Sequence, residues 1–230
     1  MHGGRMDPVM EFAGVGRSYR RAPWSPARRA LDDFSLRVGA GEVVAILGAN
    51  GSGKSTVLRI AAGLLRPTAG VCRLWGCARP ASSLYRKVGY VPDVCSLPGF
   101  LTVGEVLSIA ARLGEARRAV GLGFTADALA RVGLAGRGGD PVAGLSRGQA
   151  QRLGLAVVLL RAPELLLLDE PLSPLDDEGA ARMVALLVEL RKDGCTVLLT
   201  AHRSPELAGL CDRMVWLADG RTMDERTTHR

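Results

Sequence analysis

The stretch VVAILGANGSGKSTVLRIAAGLL, at residues 43–65, constrains the fold more than any other part of the sequence. Its first five residues form a short apolar run, typical of a buried strand, and residues 56–65 have the apolar spacing of a helix. Between the two lies the pattern G-x-x-x-x-G-K-S, which in phosphate-binding loops joins a strand to a helix. A flexible glycine-rich turn is the alternative, but the flanking strand and helix favour a phosphate-binding loop.

In a loop of this kind, glycines allow backbone N–H groups to converge on phosphate oxygens at the positive end of the helix. Lys54 is predicted to reach the β- and γ-phosphates, and Ser55 is predicted to hold Mg²⁺. No Asn-Lys-x-Asp stretch follows, so a guanine-specific site is not expected. The predicted nucleotide-binding residues of this loop are Gly48, Asn50, Gly51, Ser52, Gly53, Lys54, Ser55 and Thr56.

Further apolar segments predict a sheet around this loop. Residues 165–168 and 196–200 are short, saturated apolar runs, each followed by a loop and a helical pattern. Such runs are typical of buried parallel strands in an α/β protein. Alternating segments at 9–15 and 32–38 predict half-exposed strands near the N-terminus, and residues 214–218 predict a strand that leads into a turn.

Helical periodicity dominates between residues 93 and 152. Helices are predicted at 103–113 and 125–134, with a glycine-rich break at 121–123. We therefore predict a small helical lobe at about residues 93–152, inserted into a core lobe. The predicted core lobe comprises about residues 6–92 and 153–230 of a single domain, 1–230.

Two acidic residues end the apolar run ELLLLDEP at 164–171. Asp169 is placed to orient the coordination shell of a Mg²⁺ ion. Glu170 is placed to polarise a water for in-line attack on the γ-phosphate. The alternative is that the two acids merely begin a turn before a proline. Farther upstream, LSRGQ opens a helical pattern, and its Ser146 and Gly148 predict a second anion-binding helix end. Taken alone, this second signal also fits an ordinary serine-capped helix.

Together these motifs resemble those of the nucleotide-binding subunit of ATP-binding cassette (ABC) transporters, in the same order and over almost the whole chain. Residues 48–56 resemble the phosphate-binding loop of the family, 145–149 its signature motif, and 164–171 its magnesium and catalytic-carboxylate strand. SPLD at 173–176 resembles the loop that crosses between protomers, and His202 resembles the switch histidine.

The resemblance implies an α/β fold of the ABC ATPase type. Its parts are a P-loop NTPase core, an N-terminal antiparallel β portion and an inserted small helical lobe. It also implies two protomers docked head to tail, with each ATP held between one phosphate-binding loop and the signature helix of the partner.

The same resemblance implies roles for individual residues. Glu170 would orient the attacking water, and His202 would contact both the γ-phosphate and that water. Tyr19 is similar to the aromatic residue on which the family stacks adenine, with core or surface packing as the alternative. The residues that would contact nucleotide across the dimer are Ser146, Gly148, Gln149 and Asp176.

Two positions depart from the family pattern. VGYVPD, at 88–93, resembles the loop that joins the sheet to the helical lobe, which normally ends in a glutamine that contacts Mg²⁺. Asp93 stands there instead; it is predicted as a metal contact through a water, and capping of the next turn after Pro92 is the alternative. Arg147 replaces the commoner glycine of the signature, which resembles small export-type ATPase subunits with separate membrane partners.

Composition limits the possible function classes. The 230 residues contain no apolar run long enough to span a bilayer, and residues 1–12 lack the apolar core of a signal peptide. Five scattered cysteines without a Cys-x-x-Cys pair favour a reduced compartment and make zinc unexpected. We therefore expect a cytoplasmic protein, and the resemblance implies that it is peripheral on the inner face of the cell membrane.

The combined prediction is an ATPase that uses ATP and Mg²⁺ and powers a separately encoded polytopic membrane permease, with export favoured over import. A second hypothesis, based on Asp93, is a nucleotide-dependent regulatory module of ABC type that transports nothing. A third is a nucleic-acid-acting cassette. It rests only on the formal charge of +7, and we expect no nucleic-acid partner.

Overall fold

The computed structural model describes residues 8–20, 22, 24–113, 122–202 and 206–228. Its strands are β1 (Met10–Tyr19), β2 (Arg28–Val38), β3 (Val43–Leu47), β4 (Ala69–Leu74), β5 (Val88–Val91), β6 (Leu165–Asp169), β7 (Thr196–Ala201), β8 (Arg213–Ala218) and β9 (Arg221–Thr227). Its helices are α1 (Lys54–Ala61), α2 (Ser82–Tyr85), α3 (Val103–Leu113), α4 (Leu122–Arg131), α5 (Arg147–Leu159), α6 (Asp177–Lys192) and α7 (Glu206–Leu210). A 3₁₀ turn lies at Val142–Gly144. Within the described ranges, none of the helices combines the length and the apolar character that a transmembrane span requires.

A three-stranded antiparallel sheet with the order β2-β1-β4 contains the N-terminal strands. Buried and exposed residues alternate along β2 from Phe34 to Val38, because one face of this sheet packs on the core. On that face the rings of Phe12 and Phe34 meet edge to face, with their centroids 5.3 Å apart. The two strands predicted near the N-terminus are therefore confirmed, and both extend beyond the predicted segments toward the loop that joins them.

A six-stranded sheet with the order β5-β6-β7-β3-β8-β9 forms the centre of the molecule. Its first five strands run parallel, and β9 pairs antiparallel with β8. The predicted apolar strands are confirmed as β3, β6 and β7, in which every residue is buried. The predicted strand at 214–218 is confirmed as part of β8.

Both faces of the parallel sheet are covered, which explains its saturated apolar strands. Along β3, Val43, Ala45 and Leu47 pack with α3, α5 and α6 on one face. Val44 and Ile46 pack with α1 and the antiparallel sheet on the other face. Because both faces are filled by apolar side chains, polar groups that act on a ligand must come from the ends of the strands.

Two local predictions are corrected by the structure. The helix predicted over 56–65 ends at Ala61, and Gly63 lies beyond it with a φ of 71°, a conformation that ends helices. Residues 88–93 were expected to be a loop, but residues 88–91 form β5, which pairs with β6 at the edge of the parallel sheet. Its residues alternate between half-buried and buried, because the strand has one face on α5.

Helices fill the segment between β5 and β6. The helix predicted at 103–113 is confirmed as α3, whereas α4 covers 122–131 instead of 125–134. The predicted glycine-rich break is therefore wrong at residues 122–123, and residue 121 lies outside the described part of the chain. The division into two lobes stays a prediction, and its boundary at residues 152 and 153 falls inside α5, which packs on β5, α3 and α4.

Candidate functional site

The glycine-rich loop lies between the buried strand β3 and the first turn of α1, as predicted. Gly53 caps α1 with a φ of 112°, in the left-handed region that favours glycine. A Cβ atom added at Gly53 would lie 2.4 Å from the carbonyl oxygen of Ala30, and one added at Gly48 would lie 2.3 Å from that of Leu217. The loop is therefore held tightly between β2 and β8, and only glycine fits at these two positions.

Lys54, the first residue of α1, is the buried cation of this site. Its side chain is only 6% exposed, and its ammonium donates to the carbonyl oxygens of Gly48 at 2.7 Å and Ala49 at 3.2 Å. The same nitrogen lies 3.2 Å from Glu170 Oε1. A buried charge is stable only when it is paired and hydrogen-bonded, and these three oxygens provide that environment.

The carboxyl ends of β6 and β7 supply the acidic part of the site. Asp169 ends β6 and is 2% exposed, and Glu170 follows it with a φ of 52°. His202 follows β7, and its Nε2 lies 3.3 Å from Glu170 Oε1. These side chains meet because neighbouring parallel strands end at the same edge of the sheet. The structure thus brings together Lys54, Glu170 and His202, as expected from the sequence.

A cavity of about 650 Å³ opens beside this cluster. The hydroxyl of Tyr19 lies 3.4 Å from Thr56 Oγ1, and the guanidinium of Arg17 lies 4.8 Å above the Tyr19 ring. Nine of the predicted site residues line the cavity: Tyr19, Asn50, Gly51, Gly53, Lys54, Ser55, Thr56, Asp93 and Glu170. Arg28, which had not been predicted, also lines it.

The signature motif lies at the start of α5. Ser146 caps the helix in a reciprocal capping box: its N–H donates to Gln149 Oε1 at 2.9 Å, and its Oγ accepts from the N–H of Gln149 at 3.3 Å. Gly148 is buried against Pro174, where an added Cβ would lie 2.8 Å from the carbonyl oxygen. Asp176 caps α6 by accepting from the N–H of Gly179. None of these predicted residues lines the cavity that contains Lys54.

Asp93 and Arg147, the two residues that depart from the family pattern, contact each other. Arg147 Nη2 donates to Asp93 Oδ1, in an ion pair between the start of α5 and the segment after β5. Both side chains are well exposed, at 53% for Arg147 and 36% for Asp93. Burial, with a smaller contribution from Asp93, raises the pKa of the nearby Cys95 thiol to about 11.

The predicted metal ligands Ser55, Asp93 and Asp169 do not form a complete metal-binding site by themselves. Among the described residues, no group of three or more His, Cys, Asp or Glu side chains lies close enough to hold a metal ion. Mg²⁺ normally takes one or two protein oxygens and completes its shell with water and substrate phosphate. The hydroxyl of Ser55 at the cavity and the carboxylate of Asp169 at the strand end therefore fit Mg²⁺ bound together with a nucleotide.

Two buried polar residues of this region were missed in the sequence. Thr200 Oγ1 donates to Asp169 Oδ1 at 2.7 Å and accepts from the N–H of Glu170 at 3.0 Å. Gln151 Nε2 donates to the carbonyl oxygen of Asp169 at 3.1 Å. The available signal was weak: Thr200 is a polar residue inside an apolar run, and Gln151, among other polar residues, has no distinguishing pattern.

Comparison with known proteins assigns the family. The family model described as ABC transporter matches residues 31–173, more than half of the chain. The chain belongs to the ABC transporter family. The predicted family, fold class and ATPase activity are thereby confirmed.

Curated relatives have the same type of domain. The lipoprotein-releasing system ATP-binding protein LolD 1 of Caulobacter vibrioides is 36% identical over 94% of this chain and 95% of its own length. The methionine import ATP-binding protein MetN 2 of Pectobacterium atrosepticum is 34% identical over 94% of this chain. The chain spans only 66% of the length of MetN 2.

A solved structure has the same fold over almost all of the chain. It is the dimeric structure of a post-hydrolysis state of the ATP-binding cassette MJ0796 bound to ADP and Pi. The TM-score is 0.86 at 26% identity, and the match covers 96% of this chain and 99% of that one. Over that range, this ABC ATPase therefore shares its fold with a cassette that was solved as a dimer.

Proposed function

We propose that this ABC ATPase is the ATP-hydrolysing subunit of a transporter whose membrane-spanning permease is a separate polypeptide. Two cassettes close head to tail on ATP, and hydrolysis reopens them. One observation carries the proposal: Lys54 and Glu170 line the cavity and His202 contacts Glu170, whereas Ser146 lies exposed outside the cavity. A single chain thus presents two anion-binding regions that a head-to-tail pair would bring together.

The residues at the cavity would have separate roles in binding and hydrolysing ATP. Backbone N–H groups of the loop and the N-terminus of α1 hold the phosphates, and Tyr19 stacks on adenine. Lys54 exchanges its contacts with carbonyl oxygens and Glu170 for contacts with phosphate oxygens. Glu170 is then released to take a proton from the attacking water, and His202 positions that water against the γ-phosphate.

Mg²⁺ completes this proposed site. Ser55 and Asp169 are the residues that would hold it, and Asp93 would contact it through a water only after the ion pair with Arg147 opens. When bound, the ion neutralises part of the charge that develops on the phosphate oxygens.

The other half of the site would come from the partner cassette. The exposed N-terminus of α5 presents the Ser146 hydroxyl as a donor to an anion, whereas Gly148 is buried against Pro174 in the single chain. Gln149 holds the cap in shape, and Asp176 stabilises the start of α6 in the loop that crosses between protomers. In the closed dimer the Ser146 hydroxyl and the N-terminus of α5 would meet the γ-phosphate bound by the other chain.

A membrane partner is supported by the surface near residues 86–105, where we propose that the permease docks. Two large apolar side chains protrude there: Phe100 is 89% exposed and Val94 is 62% exposed. We take these two side chains as the apolar part of the proposed contact surface. Docking there would place the chain on the cytoplasmic face of the membrane as a peripheral subunit.

Export is the finer proposal, and Arg147 alone supports it. Comparison does not favour one direction, because LolD 1 and MetN 2, whose names indicate release and import, are almost equally similar to this chain. The regulatory alternative rested on Asp93, for which the ion pair with Arg147 supplies a structural reason, so no observation favours it now.

The composite site can be tested by mixing two inactive variants. Lys54→Ala removes the phosphate half, and Ser146→Arg blocks the signature half. In a mixed dimer one site retains both intact halves, so mixing should restore up to about a quarter of wild-type ATP hydrolysis. Mixing Lys54→Ala with Glu170→Gln is the matched control, because both variants then lack the same half. Equal activity in both mixtures would contradict the proposal.

A further inference from the structure

Two buried polar side chains outside the predicted site converge on the backbone that carries the catalytic carboxylates. Thr200, near the end of β7, is completely buried, and Gln151, on α5, is 2% exposed. Buried polar side chains usually make at least one hydrogen bond, so the partners of these two indicate what they hold. Both have partners in the dipeptide Asp169-Glu170.

Thr200 lies directly beside Asp169 in the parallel pair of β6 and β7. Its hydroxyl accepts the N–H of Glu170 at 3.0 Å and donates to Asp169 Oδ1 at 2.7 Å. A threonine hydroxyl has one hydrogen and two acceptor sites, so these two bonds assign its donor role to the carboxylate. One side chain therefore sets both the orientation of the Asp169 carboxylate and the direction of the next peptide N–H.

Gln151, on a different element, contacts the same dipeptide. Its Nε2 donates to the carbonyl oxygen of Asp169 at 3.1 Å and lies 3.5 Å from that of Glu170. Gln151 belongs to the helix that Ser146 caps. The helix that carries the signature motif is thus hydrogen-bonded to the backbone of the catalytic strand end within one chain.

The conformation of Glu170 explains why this support is needed. Its φ of 52° lies in the left-handed region, which residues with a Cβ adopt at an energetic cost. Such a conformation persists only where the surroundings determine it. Here the Thr200 hydroxyl accepts the N–H of Glu170, and the Gln151 amide donates to the carbonyl oxygen of Asp169 and lies near that of Glu170. If the peptide relaxed, the Glu170 carboxylate would turn away from Lys54 and His202.

We propose that Thr200 and Gln151 are positioning residues that hold Glu170 in its left-handed conformation and so place both carboxylates for ATP hydrolysis. The inference rests on the proposed role of Glu170 as the base. Neither side chain touches the cavity, so both act through the residues that they hold.

Replacement of the hydroxyl tests the proposal directly. Thr200→Val keeps the shape of the side chain and removes both hydrogen bonds, whereas Thr200→Ser keeps the hydroxyl. Because displacement of a catalytic group by about 1 Å can cost up to about 100-fold, we expect Thr200→Val to lower kcat roughly 10- to 100-fold. The KM for ATP should change less than about threefold, since the phosphate loop is untouched, and Thr200→Ser should recover most of the rate.

Thr196, at the start of the same strand, provides a matched control. It is also buried and its hydroxyl also accepts a backbone N–H, that of Gly41 at 3.0 Å, but it lies at the other end of β7. Thr196→Val should therefore keep its kcat. An equal loss of kcat in Thr196→Val and Thr200→Val, or no recovery in Thr200→Ser, would mean that general destabilisation is the cause and would overturn the proposal.

Gln151→Glu gives a second test if Thr200→Val fails to fold. It keeps the size of the side chain but replaces the donor amide with a carboxylate that faces two carbonyl oxygens, so kcat should fall with little change in KM. Glu170→Gln, measured in parallel, separates a failure of the proposed function from a failure of the positioning roles. Wild-type turnover in Glu170→Gln would overturn the proposed function itself. An inactive Glu170→Gln beside wild-type turnover in Thr200→Val and Gln151→Glu would overturn only the positioning roles.

Discussion

The two regions of this ABC ATPase that are proposed to bind anions differ in how completely one chain builds them. At the phosphate loop and the adjoining strand ends, Lys54 and Asp169 are buried and hydrogen-bonded within the chain. At the start of α5, Ser146 and Arg147 are exposed, and the bonds there serve only to cap the helix and to pair with Asp93. The first region is organised before ligand binds, whereas the second has its donors available for a partner.

This difference predicts which properties of the protein depend on each region. Substitutions in the buried region should change ATP binding or chemistry in any assembly state. Substitutions in the exposed region should leave ATP binding by the single chain intact and change only what happens between two chains.

The largest effect is expected from Glu170→Gln. Removal of a general base typically costs about 10²- to 10⁴-fold in rate, so steady-state phosphate release should fall by that factor while ATP still binds. Glu178→Gln is the control, since Glu178 is an exposed acid on α6. Phosphate release at the wild-type rate from Glu170→Gln would show that the buried region is not the catalytic one.

Lys54→Ala should have the next largest effect. Hydrogen bonds to charged groups contribute about 1.5–3 kcal/mol, so the affinity for ATP should fall roughly 10- to 100-fold. Equilibrium binding of a fluorescent ATP analogue measures the loss, with Lys192→Ala, at the exposed end of α6, as the control. Equal affinities of the two variants for ATP would mean that the buried region does not bind ATP as proposed.

The ion pair between Asp93 and Arg147 should contribute much less. Exposed pairs typically couple by about 0.2–1 kcal/mol, so a double-mutant cycle of Asp93→Asn and Arg147→Gln should give a small value in urea unfolding. Arg182 and Glu178, an exposed pair on α6, serve as the reference cycle. Coupling well above that of the reference would mean that this pair holds the two regions together in the resting chain.

The smallest effect concerns the thiol of Cys95, between the two regions. Its pKa of about 11 leaves little thiolate at pH 8, so iodoacetamide should label it more slowly than the exposed Cys77. Since Asp93 contributes to the raised pKa, Asp93→Asn should lower the pKa and speed the labelling of Cys95 slightly. Labelling of Cys95 as fast as Cys77 at pH 8 would contradict its burial.

Sequence patterns predicted the parts of this protein that depend on neighbouring residues. The phosphate loop, the apolar strands and the capping of α5 by Ser146 are local, because turn chemistry and periodicity lie within a few residues. The strand β5 was taken for a loop, since four residues at a sheet edge leave too short an alternation to recognise.

The missed features depend on contacts between distant segments. Thr200 acts through its register with Asp169, and Gln151 through the packing of α5 against the end of β6. The pair of Asp93 and Arg147 joins residues that are 54 positions apart. No local pattern encodes these contacts, and only the assembled sheet brings the partners together.

A site shared between two cassettes is tested most directly by the solution mass of Glu170→Gln protein, measured by light scattering with and without ATP and Mg²⁺. We expect ATP to double the mass from one chain to two, and we expect addition of Ser146→Arg to the same protein to abolish the doubling while ATP still binds. Saturation with ATP at the mass of a single chain, or doubling that survives Ser146→Arg, would contradict a site shared between two cassettes.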